Sequence, residues 1–227
     1  MANREFLQKI DQFTSEDFCA ESINCLQSLK NESKTDVKCR MELFTMYLQE
    51  KLVSALQSYE PTRCFCIDRW LKDDTGGGIS CVLQDGDVFE KAGVNISILS
   101  ANLQENHRKI FESRGSMVKS DQTKFSARGV SCIIHPKNPF VPSMHFNFRY
   151  FETSNNEDEI GHFWFGGGID MTPTYLDQQD AEHFHQTIKT ACDKHDKDYY
   201  PRYKKLCDDS LFLEICDEYR GIGGFHV

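Results

Sequence analysis

A chain of 227 residues with a formal charge of −9 is set against general affinity for DNA, RNA or anionic lipid, because its own field repels polyanions. A small anionic substrate is not excluded, since a few inward arginines outweigh the global field locally. Hydrophobic residues at 39% and charged residues at 27% describe a soluble domain long enough to bury one core without disulfides or metals.

Residues 1–34 are polar and weakly periodic, and read as a lead-in with one short helix. They hold no apolar h-region and several acids, which argues against a secretory signal and an Arg-rich transit peptide. A cytoplasmic location is expected, with the ten cysteines as reduced thiols. Cys64-x-Cys66 without a second pair is a poor zinc signature. Val37, Met41, Phe44, Leu48, Leu52 and Leu56 then recur at steps of three and four, predicting a helix of about six turns that stops before Pro61. Residues 64–71 read as a strand, Gly76-Gly77-Gly78 as a turn, and 79–83 and 94–99 as strands split by Asp85-Gly86-Asp87. The charged stretch 103–124 reads as a surface helix and loop. No run nears the ~20 apolar residues of a membrane span.

Two further strands follow. In 130–135, a period of two sets Ser131, Ile133 and His135 on one face. In 144–151, Met144, Phe146, Phe148 and Tyr150 share one face, and His145, Asn147, Arg149 and Phe151 the other. A third strand, 162–165, runs into the turn Gly166-Gly167-Gly168-Ile169-Asp170. Asp177 is a predicted N-cap for a helix carrying Ala181, Phe184, Ile188 and either Ala191 or Cys192 on one side. His183 and His185 lie about 200° apart on that helix, so one faces inward, and His185 is on the buried side. A last helix is expected over 201–217, with Pro201 in its first turn. Strands first and helices later predict an α+β domain with an antiparallel sheet, a single unit over 35–227.

The polar face His145, Asn147, Arg149 has two readings: a strand side turned to water, or a pocket wall offering a titratable imidazole, an amide and a carboxylate fork. Asp170 after three glycines reads either as an acceptor for ligand N–H groups or as a cap on the Thr172-Pro173 turn. His135, His145 and His185 could hold Zn²⁺ or non-haem iron, or act as neutral hydrogen-bonding groups. Gly76-Gly77-Gly78 lacks the Lys-Ser/Thr of a phosphate loop.

Several strings resemble one family. Asp68-Arg69-Trp70, the 88–94 run VFEKAGV, GVSCIIHPKNPFVP (129–142), HFNFRYFE (145–152), WFGGGIDMTPTY (164–175), YPRYKKLCDD (200–209) and RGIGG (220–224) are similar to oxygen-dependent coproporphyrinogen III oxidase, in family order and most like its animal branch. The resemblance implies a large antiparallel sheet flanked by helices, a homodimer, and an oxidoreductase of haem and porphyrin biosynthesis. Its reaction is the oxidative decarboxylation of coproporphyrinogen III to protoporphyrinogen IX, with O₂ as co-substrate, no organic cofactor, and release of CO₂ and hydrogen peroxide. It further implies catalytic roles for His145 as proton donor, Asp170 as holder of pyrrole N–H groups, and Arg149. Ser131, Asn147, Phe148 and Arg149 match substrate-contacting positions, and His135 and His185 match histidines offered as metal ligands in some bacterial members. Ile215 stands where the family commonly has a His linked to dimer assembly. After RGIGG the family continues into a helix and further strands, so the expected fold lacks those elements and the dimer is weakened. The second expectation is a catalytically inactive truncated isoform that binds porphyrin or a full-length subunit. Animal relatives make the mitochondrial intermembrane space the alternative location.

Overall fold

In the computed structural model, which describes residues 2–113, 118–157 and 159–227, the N-terminal segment is folded onto the core. Helices α1 (Ala2–Lys9) and α2 (Leu26–Glu32) flank two single 3-10 turns. Five apolar side chains of this segment, Phe6, Ile10, Phe13, Phe18 and Leu29, are buried, while Leu7 stays exposed. The sequence pattern is weak there because the segment is made of pieces too short to complete a period.

The long helix forms as expected, as α3 (Val37–Gln57), with the Asp36 carboxylate accepting from the Lys38 N–H at its start. It is covered on two sides, which shifts its buried stripe. Phe44 packs on Phe6 of α1, while Cys39, Leu43 and Met46 are buried in the main core. Gln49, fully buried, donates to the Ile79 and Val94 carbonyls at 2.8 Å each and ties the helix to the sheet.

The sheet begins with β1 (Cys66–Lys72), β2 (Gly76–Gln84) and β3 (Phe89–Asn102). Helix α4 (Glu105–Ser113) supplies the expected surface helix; residues 114–117 of the predicted loop lie outside the described residues. Strands β4 (Lys124–Pro136), β5 (Ser143–Ser154) and β6 (Ile160–Thr172) follow, then α5 (Gln178–Asp193), capped by Asp177, and α6 (Tyr199–Leu211). The chain leaves α6 earlier than predicted, forming a short hairpin of β7 (Phe212–Leu213) and β8 (Glu218–Tyr219), then β9 (Gly224–His226). The sheet order is β1-β2-β3-β4-β5-β6-β9, antiparallel throughout. This is an α+β fold with one large antiparallel sheet flanked by helices.

Neither glycine run is a turn. Gly76–Gly78 open β2 and Gly166–Gly168 sit inside β6, in register with Arg149, Phe148 and Asn147 of β5. The reversal before β2 is made by Asp73–Thr75, with Asp73 at φ 41° and Gly76, at φ 125°, closing it.

Alternation gives the sheet two unlike faces. On one, Ile79, Cys81, Leu83, Val94, Ile96, Val130 and Cys132 are at most 1% exposed and belong to the core that α3 covers. Met144, Ile169 and Met171 extend the same face into a second cluster with Phe184 and Ile188 of α5. The other face carries Asn95, Ser131, Asn147 and Arg149 in adjoining registers. There α4 sets Phe111 against Phe125, Phe151 and Trp164 at one end. Among the described residues the rest of this face is open.

Candidate active site

The open face is where the predicted polar residues meet. Ser131 pairs with Asn147, Ile133 with His145 and Gly129 with Arg149 across β4 and β5. His145 in turn pairs with Asp170 of β6. Directly paired residues share a face, so Ser131, His145, Asn147, Arg149 and Asp170 all stand on one side of the sheet. Phe148 does not join them: its side chain follows the Val130 register on the helix-bearing face.

His145 and Asp170 touch. The His145 Nδ1–H donates to Asp170 Oδ2 at 2.9 Å, and the Arg220 guanidinium donates to Oδ1 of the same carboxylate at 2.7 Å. Asp170 is buried and Arg220 half-exposed. Burial alone would raise the Asp170 carboxyl, but the hydrogen bonds from His145 and Arg220, with the Arg220 charge, outweigh it and hold it below its usual value. The ionised carboxylate only accepts, so the proton lies on Nδ1 of His145. A cleft of about 430 Å³ lies over this group, lined by His135, Ser143, His145, Asp170, Thr172 and Arg220.

Arg220 was absent from the predicted site. It lies fifty residues beyond Asp170, on the β7–β8 hairpin's exit, and Gly221 at φ 64° turns the chain back beside Thr172. Its only signal in the sequence is the Arg-Gly-x-Gly-Gly string, whose glycines mark a tight backbone path. Arg149, the predicted fork, stands four residues along β5 from His145, roughly 13 Å at strand rise. It faces the same side without lining the cleft. A larger cleft, about 600 Å³, opens near the start of α3 beside Lys38, Ser126 and Glu152. Lys38 and Glu152 pair at 2.9 Å there, so its charges neutralise each other.

The histidine metal set is corrected. His135 bonds Ser143 Oγ at 3.1 Å. His185 is carried by α5, on the opposite side of the sheet from His145, where its Nε2–H donates to the Ile222 carbonyl and its Nδ1 accepts from Tyr200. Burial first, then the Lys204 charge, holds the His185 imidazole below its usual value, which suits this neutral tautomer. Among the described residues the group whose ligand atoms gather within 4.8 Å is instead Glu32, Asp36 and Cys39, at the α2–α3 junction. The Cys39 thiol donates to Glu32 at 3.3 Å, and burial together with the two carboxylates pushes it up to about 12. The expectation about cofactors therefore changes: the residues able to gather a metal ion lie at that junction, not on the three histidines.

Comparison with known proteins agrees with this arrangement of strings and strands. The family described as coproporphyrinogen III oxidase matches residues 40–227. The rat protein named oxygen-dependent coproporphyrinogen-III oxidase, mitochondrial, is 51% identical over 191 residues, covering 83% of this chain and 43% of the rat protein. The human protein of the same name is 52% identical, with 83% and 42% covered. The Drosophila melanogaster oxygen-dependent coproporphyrinogen-III oxidase is 47% identical over 215 residues, with 94% and 55% covered. The chain spans about half the length of the curated relatives it matches. The mammalian names carry the word mitochondrial, which overturns the expectation of a cytoplasmic location. Among the described residues no helix is long and apolar enough to cross a membrane. The chain belongs to the coproporphyrinogen III oxidase family.

Proposed function

We propose that this member of the coproporphyrinogen III oxidase family binds coproporphyrinogen III against the open face of its sheet. The observation that carries the reading is Asp170, a carboxylate fixed by His145 and Arg220 with Arg149 on the same side. A porphyrinogen is the complement: inner N–H groups for a carboxylate, and four outer carboxylates for guanidinium groups. In this reading Asp170 accepts from pyrrole N–H groups and Arg149 pairs with a propionate. Ser131 and Asn147 contribute a hydroxyl and an amide between them, and Phe148 contributes only its backbone. The functional domain is the unit 35–227, onto which the first 34 residues pack.

The family's general chemistry is oxidative. Each reacting propionate loses CO₂ and, from the carbon next to the ring, a hydride equivalent. Those two electrons reduce O₂, which takes up one further proton and leaves as hydrogen peroxide, so the tetrapyrrole is its own electron source. With Nδ1–H of His145 held by the ionised Asp170, the proton that His145 donates in this reading is carried on Nε2. Turnover also needs water kept from the reacting carbon, and the open face does not supply that cover. We therefore put binding before turnover: the chain acts as a porphyrin-binding subunit, alone or paired with a full-length subunit. Exposed Leu213, Ile215 and Tyr219, on the hairpin that delivers Arg220, support a subunit contact there. The mammalian relatives' names support a mitochondrial site of action.

Aerobic incubation with coproporphyrinogen III, followed by chromatography for vinyl products, tests this. The expected result is ligand binding by the chain alone without protoporphyrinogen IX. Product formed by the chain alone would move the reading to full catalysis, and absence of both binding and product would refute it.

A further inference from the structure

Three consecutive glycines, Gly166, Gly167 and Gly168, lie in β6, and the fold explains two of them. A Cβ on Gly167 would collide with the Asn147 carbonyl oxygen, and one on Gly168 would sit 2.8 Å from the Phe225 carbonyl oxygen of β9. Both strand pairings therefore demand glycine. Gly166 is different. The nearest atom to a Cβ there is the Val227 carbonyl oxygen at 3.5 Å, an ordinary van der Waals contact. Its backbone is extended and needs no left-handed freedom. Glycine inside a strand weakens it, because chain entropy is lost and no side chain packs. Among the described residues nothing asks for that cost at Gly166.

Its place on the sheet gives a reason. Gly166 is paired directly with Arg149, so a side chain there would stand beside the arginine stem on the open face. The Arg149 stem leans the other way, its Cγ 3.0 Å from where a Cβ on Gly129 would be. The strip over Gly166 is thus left clear, bounded by Trp164 one alternate position away along β6.

We propose that Gly166 is a specificity-determining position: its missing side chain keeps open the path by which a ligand carboxylate reaches Arg149. The inference rests on the porphyrinogen-binding reading above and adds to it a residue that does no chemistry and makes no polar contact. In β6, then, Gly167 and Gly168 serve the strand pairings and Gly166 serves the ligand.

The test is a titration with coproporphyrin III, the oxidised tetracarboxylate, of Gly166→Val and Gly166→Ala, each made with Arg149 intact and with Arg149→Met. Both glycine variants should keep or raise the thermal midpoint, since a side chain suits an extended strand. With Arg149 present, Gly166→Val should raise Kd at least about tenfold, ~1.4 kcal/mol, with Gly166→Ala between it and the parent. With Arg149→Met, the glycine substitutions should add nothing further. An unchanged Kd, or the same added loss in both backgrounds, would overturn the assignment. Loss of the fold in both glycine variants would overturn it too, because packing would then require the glycine. Failure of the unsubstituted chain to bind the porphyrin sinks the binding reading instead, and is told apart by that first titration.

Discussion

Asp170→Asn should weaken binding of coproporphyrin III by roughly 30-fold, about 2 kcal/mol, while leaving the sheet folded. The side chain keeps its shape but loses its charge. The Arg220 guanidinium and the His145 Nδ1–H then face a neutral amide in place of the carboxylate oxygens at 2.7 and 2.9 Å. The effect is kept at the lower end for a charge-paired group because Arg220 is half-exposed and its field is screened. A pH series gives a second reading. The Asp170 carboxyl is lowered by its partners in the folded protein, so what it contributes is fully present above the ordinary carboxylate value. It is lost only as pH falls through the lowered folded value. The parent protein should therefore lose stability on an acid limb below the usual carboxylate range, and Asp170→Asn should lack that part of the limb. Matching acid limbs in stability and a Kd within twofold of the parent would remove Asp170 from the site.

The largest loss of stability is expected from Arg128→Met. Arg128, 5% exposed on β4, faces Glu42 of α3, which is fully buried, at 3.4 Å. Its Nη1–H donates to the Leu99 carbonyl at 2.7 Å, and Glu42 also accepts from Asn24 at 2.7 Å. Removing the cation leaves a carboxylate buried among apolar side chains with only amide donors, a cost of about 3–5 kcal/mol. For a domain whose whole stability is of order 5–15 kcal/mol, that is a large fraction. The double variant Glu42→Gln with Arg128→Met should recover much of it, since the isolated charge and not the lost attraction is what destabilises. Urea midpoints of the parent, single and double variants measure this. A loss under about 1 kcal/mol in Arg128→Met would mean that water reaches Glu42 and the pair is not a buried one.

Much of the fold was legible because alternation is a strong signal over long strands. The 144–151 pattern placed His145, Asn147 and Arg149 opposite Phe146, Phe148 and Tyr150, and the pairings bear out that division. The α3 helix and the Asp177 cap were legible for the same kind of reason, a period and a local hydrogen bond. What failed was inference from glycine alone. Runs at 76–78 and 166–168 look like turns, yet glycine is also needed where strand backbones pass closely, and every glycine of the two runs except Gly166 is of that second kind. The N-terminal segment reads as a lead-in because its five buried apolar residues, spread over four short helical pieces and the links between them, leave no period. Arg220 was out of reach for another reason. Its partner lies fifty residues away, and only the path of the β7–β8 hairpin brings it back. The histidine set broke up because α5 packs on the helix-bearing face, whereas the side chains of His135 and His145 stand on the other, so His185 lies across the sheet from them.

Both tryptophans of the chain lie on the open face. Trp70 sits over Gly78 with its indole N–H on Ser80, and Trp164 stacks on Phe151. Quenching of their emission by added coproporphyrin III is therefore a direct titration of that face, with Arg149→Met set against Phe165→Ser from the helix-bearing face as the paired variants. Saturable quenching, with Kd raised at least about tenfold (~1.4 kcal/mol) by Arg149→Met and unmoved by Phe165→Ser, is the predicted result. Quenching whose Kd shifts with Phe165→Ser and ignores Arg149→Met would put the ligand on the wrong side of the sheet and contradict the account.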